Sequence, residues 1–110
     1  MLKYYDREGD PISYEEWLEK FETPGYQHIA KTELDGGVMV STIWLGMNHQ
    51  YNEGGPPIIF ETIIFEGEHD QEMWRYSTFE EALADHHRIV QALKDGVDPN
   101  KETEGKNNAE

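Results

Sequence analysis

The chain has no cysteine, which excludes disulfides, thiolate metal sites and cysteine nucleophiles. It is also poor in bases: 9 lysines and arginines stand against 23 acids, for a formal charge of −14 over 110 residues. With no basic patch to offset phosphate repulsion, direct binding of nucleic acid or of an anionic membrane is disfavoured. Long apolar runs are missing as well. Mean hydropathy is −0.82, and no segment approaches the ~18 apolar residues of a membrane span. The opening Met1-Leu2-Lys3-Tyr4-Tyr5-Asp6 reaches charged groups at once, so no secretory signal is expected and the expected location is the cytoplasm.

What is present suffices for one modest core: 36% hydrophobic residues, including 3 Trp, 6 Tyr and 4 Phe. The pattern predicts an α+β domain over residues 1–94, a twisted antiparallel sheet of four to five strands with two helices on one face. Residues 2–13 read as a small hairpin, with turn formers Asp6 to Pro11 between short extended stretches. Ser13 and Glu16 have capping-box spacing, and Tyr14, Trp17, Leu18 and Phe21 share one helix face ahead of Thr23-Pro24-Gly25. Residues 27–34 and 38–45 alternate as strands about an Asp35-Gly36-Gly37 turn, with Val38, Val40, Thr42 and Trp44 on one side. Residues 58–65 form the most strand-like segment, and residues 73–76 a short further strand. Ser77 with Glu80, or Thr78 with Glu81, then caps a helix whose stripe is Phe79, Ala82, Leu83, His86, Val90 and Leu93, ended by Gly96 and Pro99. Trp17, Phe21, Trp44, Phe60, Phe65, Trp74 and Phe79 are expected in the core. Residues 95–110, with five acids and two bases, are expected to form a disordered acidic tail, which leaves the body itself strongly acidic.

Several segments carry a resemblance. Tyr4-Tyr5-Asp6-Arg7-Glu8-Gly9-Asp10-Pro11-Ile12-Ser13 with Trp17, Val40-Ser41-Thr42-Ile43-Trp44-Leu45-Gly46, Gly54-Gly55-Pro56-Pro57-Ile58-Ile59-Phe60-Glu61-Thr62 and Arg75-Tyr76-Ser77-Thr78 resemble a group of small uncharacterised proteins encoded by phages and prophages. The likeness spans about the first 90 residues. It implies an accessory gene product, a class whose small acidic members include inhibitors of host defence enzymes. It supplies no catalytic residues.

Eight acids lie between Glu61 and Asp85, against the lone base Arg75. Glu61, Glu66, Glu68, Asp70, Glu72, Glu80, Glu81 and Asp85 are therefore the candidate partner-binding set, a surface able to imitate duplex phosphate or to engage a basic groove. The expected function is non-enzymatic: an acidic phage-type accessory protein that binds and inhibits a basic host protein, in particular a nucleic-acid-handling defence enzyme. An alternative draws on the polar loop at residues 46–57, where Trp44, Asn48, His49, Tyr51 and Arg75 would sequester a signalling nucleotide or another anionic ligand. A virion structural or assembly component is the third reading. No cofactor or metal is expected, since His28, His49, His69, His86 and His87 lack ligand spacing and His86 fits a core position with one hydrogen bond. Ser41 and Ser77 lack a nucleophile elbow. Two strands look apolar on both faces, so one face is expected to be covered by a partner or in a homodimer.

Overall fold

The computed structural model describes residues 3–48 and 55–100. Strands β1 (Tyr4–Tyr5) and β2 (Pro11–Ile12) form a two-stranded hairpin. Helix α1 (Tyr14–Glu22) follows, opened by the Ser13–Glu16 capping box and ended at Thr23. A four-stranded antiparallel meander comes next, β3 (His28–Glu33), β4 (Met39–Trp44), β5 (Phe60–Phe65) and β6 (Met73–Tyr76), in spatial order 3-4-5-6. Helix α2 (Phe79–Lys94) closes the domain, and of the two possible caps the structure uses Thr78 with Glu81. The architecture is thus a small α+β domain.

Period-two burial decides which face is covered. Val40, Thr42 and Trp44 of β4 and Phe60, Thr62 and Ile64 of β5 are fully buried, while their sequence neighbours are only partly so. α2 lies across all four strands on that side. One cluster joins Val40 and Ile64 to Ile89 and Val90, and a second joins Trp44, Ile59 and Phe60 to Ala82. Each large side chain so removed from water contributes about 1.5–3 kcal/mol. Ile89 and Ala92 belong to the helix stripe although the sequence periodicity singled out their neighbours.

α1 is held differently, for none of its residues is fully buried. Its anchor is Trp17, which packs against the Trp44 cluster and donates its indole N–H to Leu45 O at 3.0 Å. Gly46 makes this approach possible: at φ +77, a Cβ there would lie 2.5 Å from both Trp17 Nε1 and Trp44 Cζ2. Phe21, expected in the core, is instead exposed on Trp17, with ring centroids 5.0 Å apart. Phe65 is half-buried and points to the sheet face opposite Ile64.

A polar chain runs through the apolar interior. His86 is fully buried, with Nδ1 2.8 Å from Thr42 Oγ1 and Nε2 2.9 Å from Thr32 Oγ1. Thr42 and Thr62 hydroxyls meet at 2.5 Å, Thr62 bonds the Tyr76 phenol, and that phenol donates to Asp85 Oδ2 at 2.6 Å. Donor counting orients every link. The Asp85 carboxylate accepts from Tyr76, so Tyr76 oxygen accepts from Thr62, Thr62 from Thr42, and Thr42 from His86, whose bare Nε2 takes the Thr32 proton. Neutral His86 as the Nδ1–H tautomer satisfies all of them. Burial, then the neighbouring His87, holds its pKa below the ordinary value, in keeping with a neutral ring. Burial and the Asp85 contact push the Tyr76 phenol far up.

The expected disordered tail from Asp95 meets a packed segment as far as Asn100. Pro99 is buried, its carbonyl accepts from Arg88 Nη1 at 2.7 Å, and Asn100 Nδ2 donates to Glu72 Oε1 at 2.6 Å. Residues 101–110 lie outside the described residues.

Two substitutions test these contacts. Thr42→Val leaves the His86 N–H without an acceptor and should cost about 1–3 kcal/mol, read as a lower urea midpoint at unchanged m. Gly46→Ala combines a disfavoured φ with overlap on two indoles and should cost about 2–4 kcal/mol in the same assay. Unchanged midpoints would contradict either contact.

Candidate functional site

In an antiparallel meander alternate connections share one end of the sheet. The β3–β4 turn, a 3₁₀ turn at Asp35–Gly37, therefore lies beside the β5–β6 loop at residues 66–72, and the last turn of α2 reaches the same end. These three pieces enclose a groove of about 620 Å³. Leu34, Val38, Ile64, Leu93 and Val97 supply its apolar surface. Glu33, Asp35, Glu66 and Glu68 supply four carboxylates, against Lys94 as the only lysine or arginine in the lining. Glu33 stands at the corner, also facing Lys31 at 3.9 Å.

The acidic loop is held in shape by its own carboxylates. Glu66 and Gln71 have φ +71 and +73, a region that side chains other than glycine seldom occupy. Asp70 Oδ1 accepts from the Glu66 N–H at 2.6 Å, closing the loop. Gly67 seats it on the groove wall, for a Cβ there would lie 2.7 Å from Val38 Cγ2. Glu72 receives His69 Nδ1 at 2.9 Å as well as Asn100 Nδ2. The hydrogen bond to Glu72 raises the His69 pKa against the opposing effect of burial.

The eight sequence-selected acids thus separate. Glu66 and Glu68 present exposed carboxylates at the groove, while Asp70 and Glu72 beside them hold the loop and the C-terminal segment. Glu80 and Glu81 open α2 at its other end, ~20 Å away by helical rise, and Glu81 serves in the cap. Asp85 is occupied by Tyr76 and by Arg88 Nε at 2.5 Å. Glu61 is on the uncovered sheet face, paired with Arg75 Nε at 3.2 Å. Glu33 and Asp35 escaped selection by charge clustering, because the link is spatial. The meander parity was the signal that could have found them.

Among the described members of the alternative ligand set, Trp44 and Arg75 lie on opposite faces of the sheet. Trp44 is fully buried on the helix side, its indole N–H donating to Tyr5 O at 3.0 Å, so it is a core residue and offers no stacking surface. Arg75 belongs to the opposite face of the sheet. Asn48 Oδ1 accepts the Ile58 N–H at 2.9 Å, fastening the loop base to β5's approach. His49 and Tyr51 lie outside the described residues. Two other concavities carry no excess of positive charge: one pairs Arg75 and Arg88 with Glu81 and Asp85, the other Arg7 with Glu8 and Glu80.

For metal chemistry, His69, Glu72 and Asp98 bring ligand atoms within 4.8 Å of one another. Their contacts are those of a latch: His69 on Glu72, and Asn100 donating to both Glu72 and Asp98. His86 is fully buried between Thr32 and Thr42, and Ser41 is on the other sheet face. Comparison of the chain with protein-family models, with curated proteins and with solved structures finds no match.

The two histidines should titrate apart. His69 takes up its proton above the ordinary histidine pKa of 6.5 and His86 only below it, as read from their ring-proton shifts by NMR. His69 therefore contributes stability that is fully present below the unfolded pKa and is lost as pH rises through its folded pKa. For His86 the sign is opposite: stability declines as pH falls from the unfolded pKa toward its folded value. Glu72→Gln should lower the His69 midpoint and leave that of His86 unchanged; a His69 midpoint that stays raised would contradict the latch.

Proposed function

We propose that this chain is a non-enzymatic binding protein whose acid-rimmed groove takes a basic, partly apolar segment of a partner protein. In the finer reading the partner is a nucleic-acid-handling host enzyme, inhibited by loss of its basic surface, in the manner of a phage-type accessory protein. The observation that carries the proposal is the groove itself: three carboxylates from two separate turns, Asp35, Glu66 and Glu68, rim one apolar floor, with Glu33 at the end of β3 shared with Lys31. Scattered solubilising acids have no need of such a floor. Long-range charge would steer encounter, and the apolar floor would hold an arginine or lysine stem once its charged head reached the rim. At −14 overall, the chain repels nucleic acid while attracting the surfaces that bind it.

The test uses a synthetic arginine–leucine repeat peptide titrated into the ¹⁵N-labelled chain. Shifts should concentrate at Asp35, Glu66, Glu68, Leu93 and Val97, and affinity should fall as salt rises, since the Debye length shortens to ~8 Å at 0.15 M. Glu66→Lys with Glu68→Lys should weaken binding at least tenfold. Glu15→Lys with Glu80→Lys makes the same change in net charge at the far end of the domain and should cost much less. Equal losses from both pairs would reduce the attraction to bulk charge and overturn the groove. Shifts confined to residues 46–57 on adding a nucleotide would favour the ligand-sequestering alternative.

A further inference from the structure

The sheet has a second face. Among the described residues no helix packs on it, yet Met39, Ile43, Ile63, Phe65 and Met73 give it an apolar centre across three strands, interrupted only by the small Ser41 opposite Ile63. Met73 is 45% exposed, and the other four are only half-buried. Two ion pairs border the centre, Lys31–Glu33 at 3.9 Å on the β3 edge and Arg75–Glu61 at 3.2 Å across β6 and β5, with Glu61 opposite Ile43. Its formal charge is therefore zero, on a chain that carries −14.

That balance selects the occupant. A basic partner finds stronger attraction at the groove, and an acidic one is repelled by the body as a whole. Two copies of this chain also repel each other, least when they meet through a neutral apolar surface ringed by charges of both signs. We infer that the uncovered face, centred on Ile63, is a self-association surface through which two copies pack sheet against sheet.

The size of the surface sets its strength. Four strands spaced ~4.8 Å apart and ~20 Å long project roughly 400 Å², about half of the ~800 Å² per partner in a standard interface. The dimer is accordingly concentration-dependent and in rapid exchange with monomer. Salt should strengthen it, because screening removes repulsion between like-charged copies while leaving apolar contact in place. Binding of a basic partner at the groove responds to salt with the opposite sign, so failure of either proposal is distinguishable from failure of the other.

The experiment is sedimentation equilibrium of the full chain, from micromolar to millimolar concentration, at about 0.05 M and about 0.5 M salt. Mass should rise from monomer toward dimer with concentration, and more readily at high salt. Ile63→Glu should weaken association at least tenfold with an unchanged circular dichroism spectrum. Because the chain has no cysteine, Met73→Cys carries a single nitroxide, and intermolecular dipolar coupling should appear there but not at Glu80→Cys in the first turn of α2. A monomer throughout the range overturns the inference, as does Ile63→Glu dimerising like the parent, or coupling at position 80 in place of 73.

Discussion

One buried polar chain fixes how the helix sits on the sheet. Thr32, Thr42, Thr62 and Tyr76 come from the four strands in turn, and α2 supplies His86 and Asp85. Apolar packing alone tolerates small slides and rotations of a helix, because dispersion is non-directional and each contact is worth little. Hydrogen bonds in a low-dielectric interior do not: a slip of one residue would strand a hydroxyl and an imidazole without partners, at about 1–3 kcal/mol for each orphaned group. The carboxylate end gives the chain a direction, since Asp85 can only accept. Every proton above it then has one place to go.

Fixing α2 in this way also places the groove. Leu93 and Lys94 lie two turns beyond His86 on the same helix, so the rotation that satisfies the imidazole delivers Leu93 to the floor between Val38 and Ile64. Arg88, on the turn between, bonds Asp85 on one side and the Pro99 carbonyl on the other. Through that guanidinium the C-terminal segment returns to the domain, where Asn100 meets Glu72 and Val97 joins the groove. The acidic rim is thus mounted on the same network that organises the interior, although none of the rim carboxylates belongs to the network.

Local chemistry was legible in the residues, and tertiary chemistry was legible only in part. Ser13 with Glu16 and the Asp35-Gly36-Gly37 turn announce themselves because each involves neighbours in sequence, and Val40, Thr42 and Trp44 share a face because the strand period is two. That same period argues against Trp44 as a stacking platform, since a residue aligned with Val40 cannot also face a ligand on the other side. Thr42, Thr62 and Tyr76 gave no sign of being joined, because a threonine in a strand reads equally as a solvent-facing or a satisfied interior position until a helix is docked over it. His86 fitted the apolar stripe, but its second hydrogen bond comes from Thr32, 54 residues away in sequence. Pro99 reads as a helix stop, and nothing local shows that its ring is buried and its carbonyl taken by Arg88.

The two surfaces carry charge differently. Acids that must stay apart from one another are collected on turns at the end of the sheet, where water solvates them, while the acids on the uncovered face are each answered by a base one or two strand positions away. A sheet-to-sheet dimer leaves the helix-covered side of each copy in solvent, and the groove with it. Two grooves carried by one assembly would meet a partner having two basic segments at an effective concentration set by geometry, raising avidity without any new contact. Under the two proposals low salt would favour each groove singly and high salt the pair, with both contributions present at intermediate ionic strength. The physical origin is common to the two: −14 on a small body, cancelled pairwise on one face of the sheet and left with a single lysine against four carboxylates in the groove.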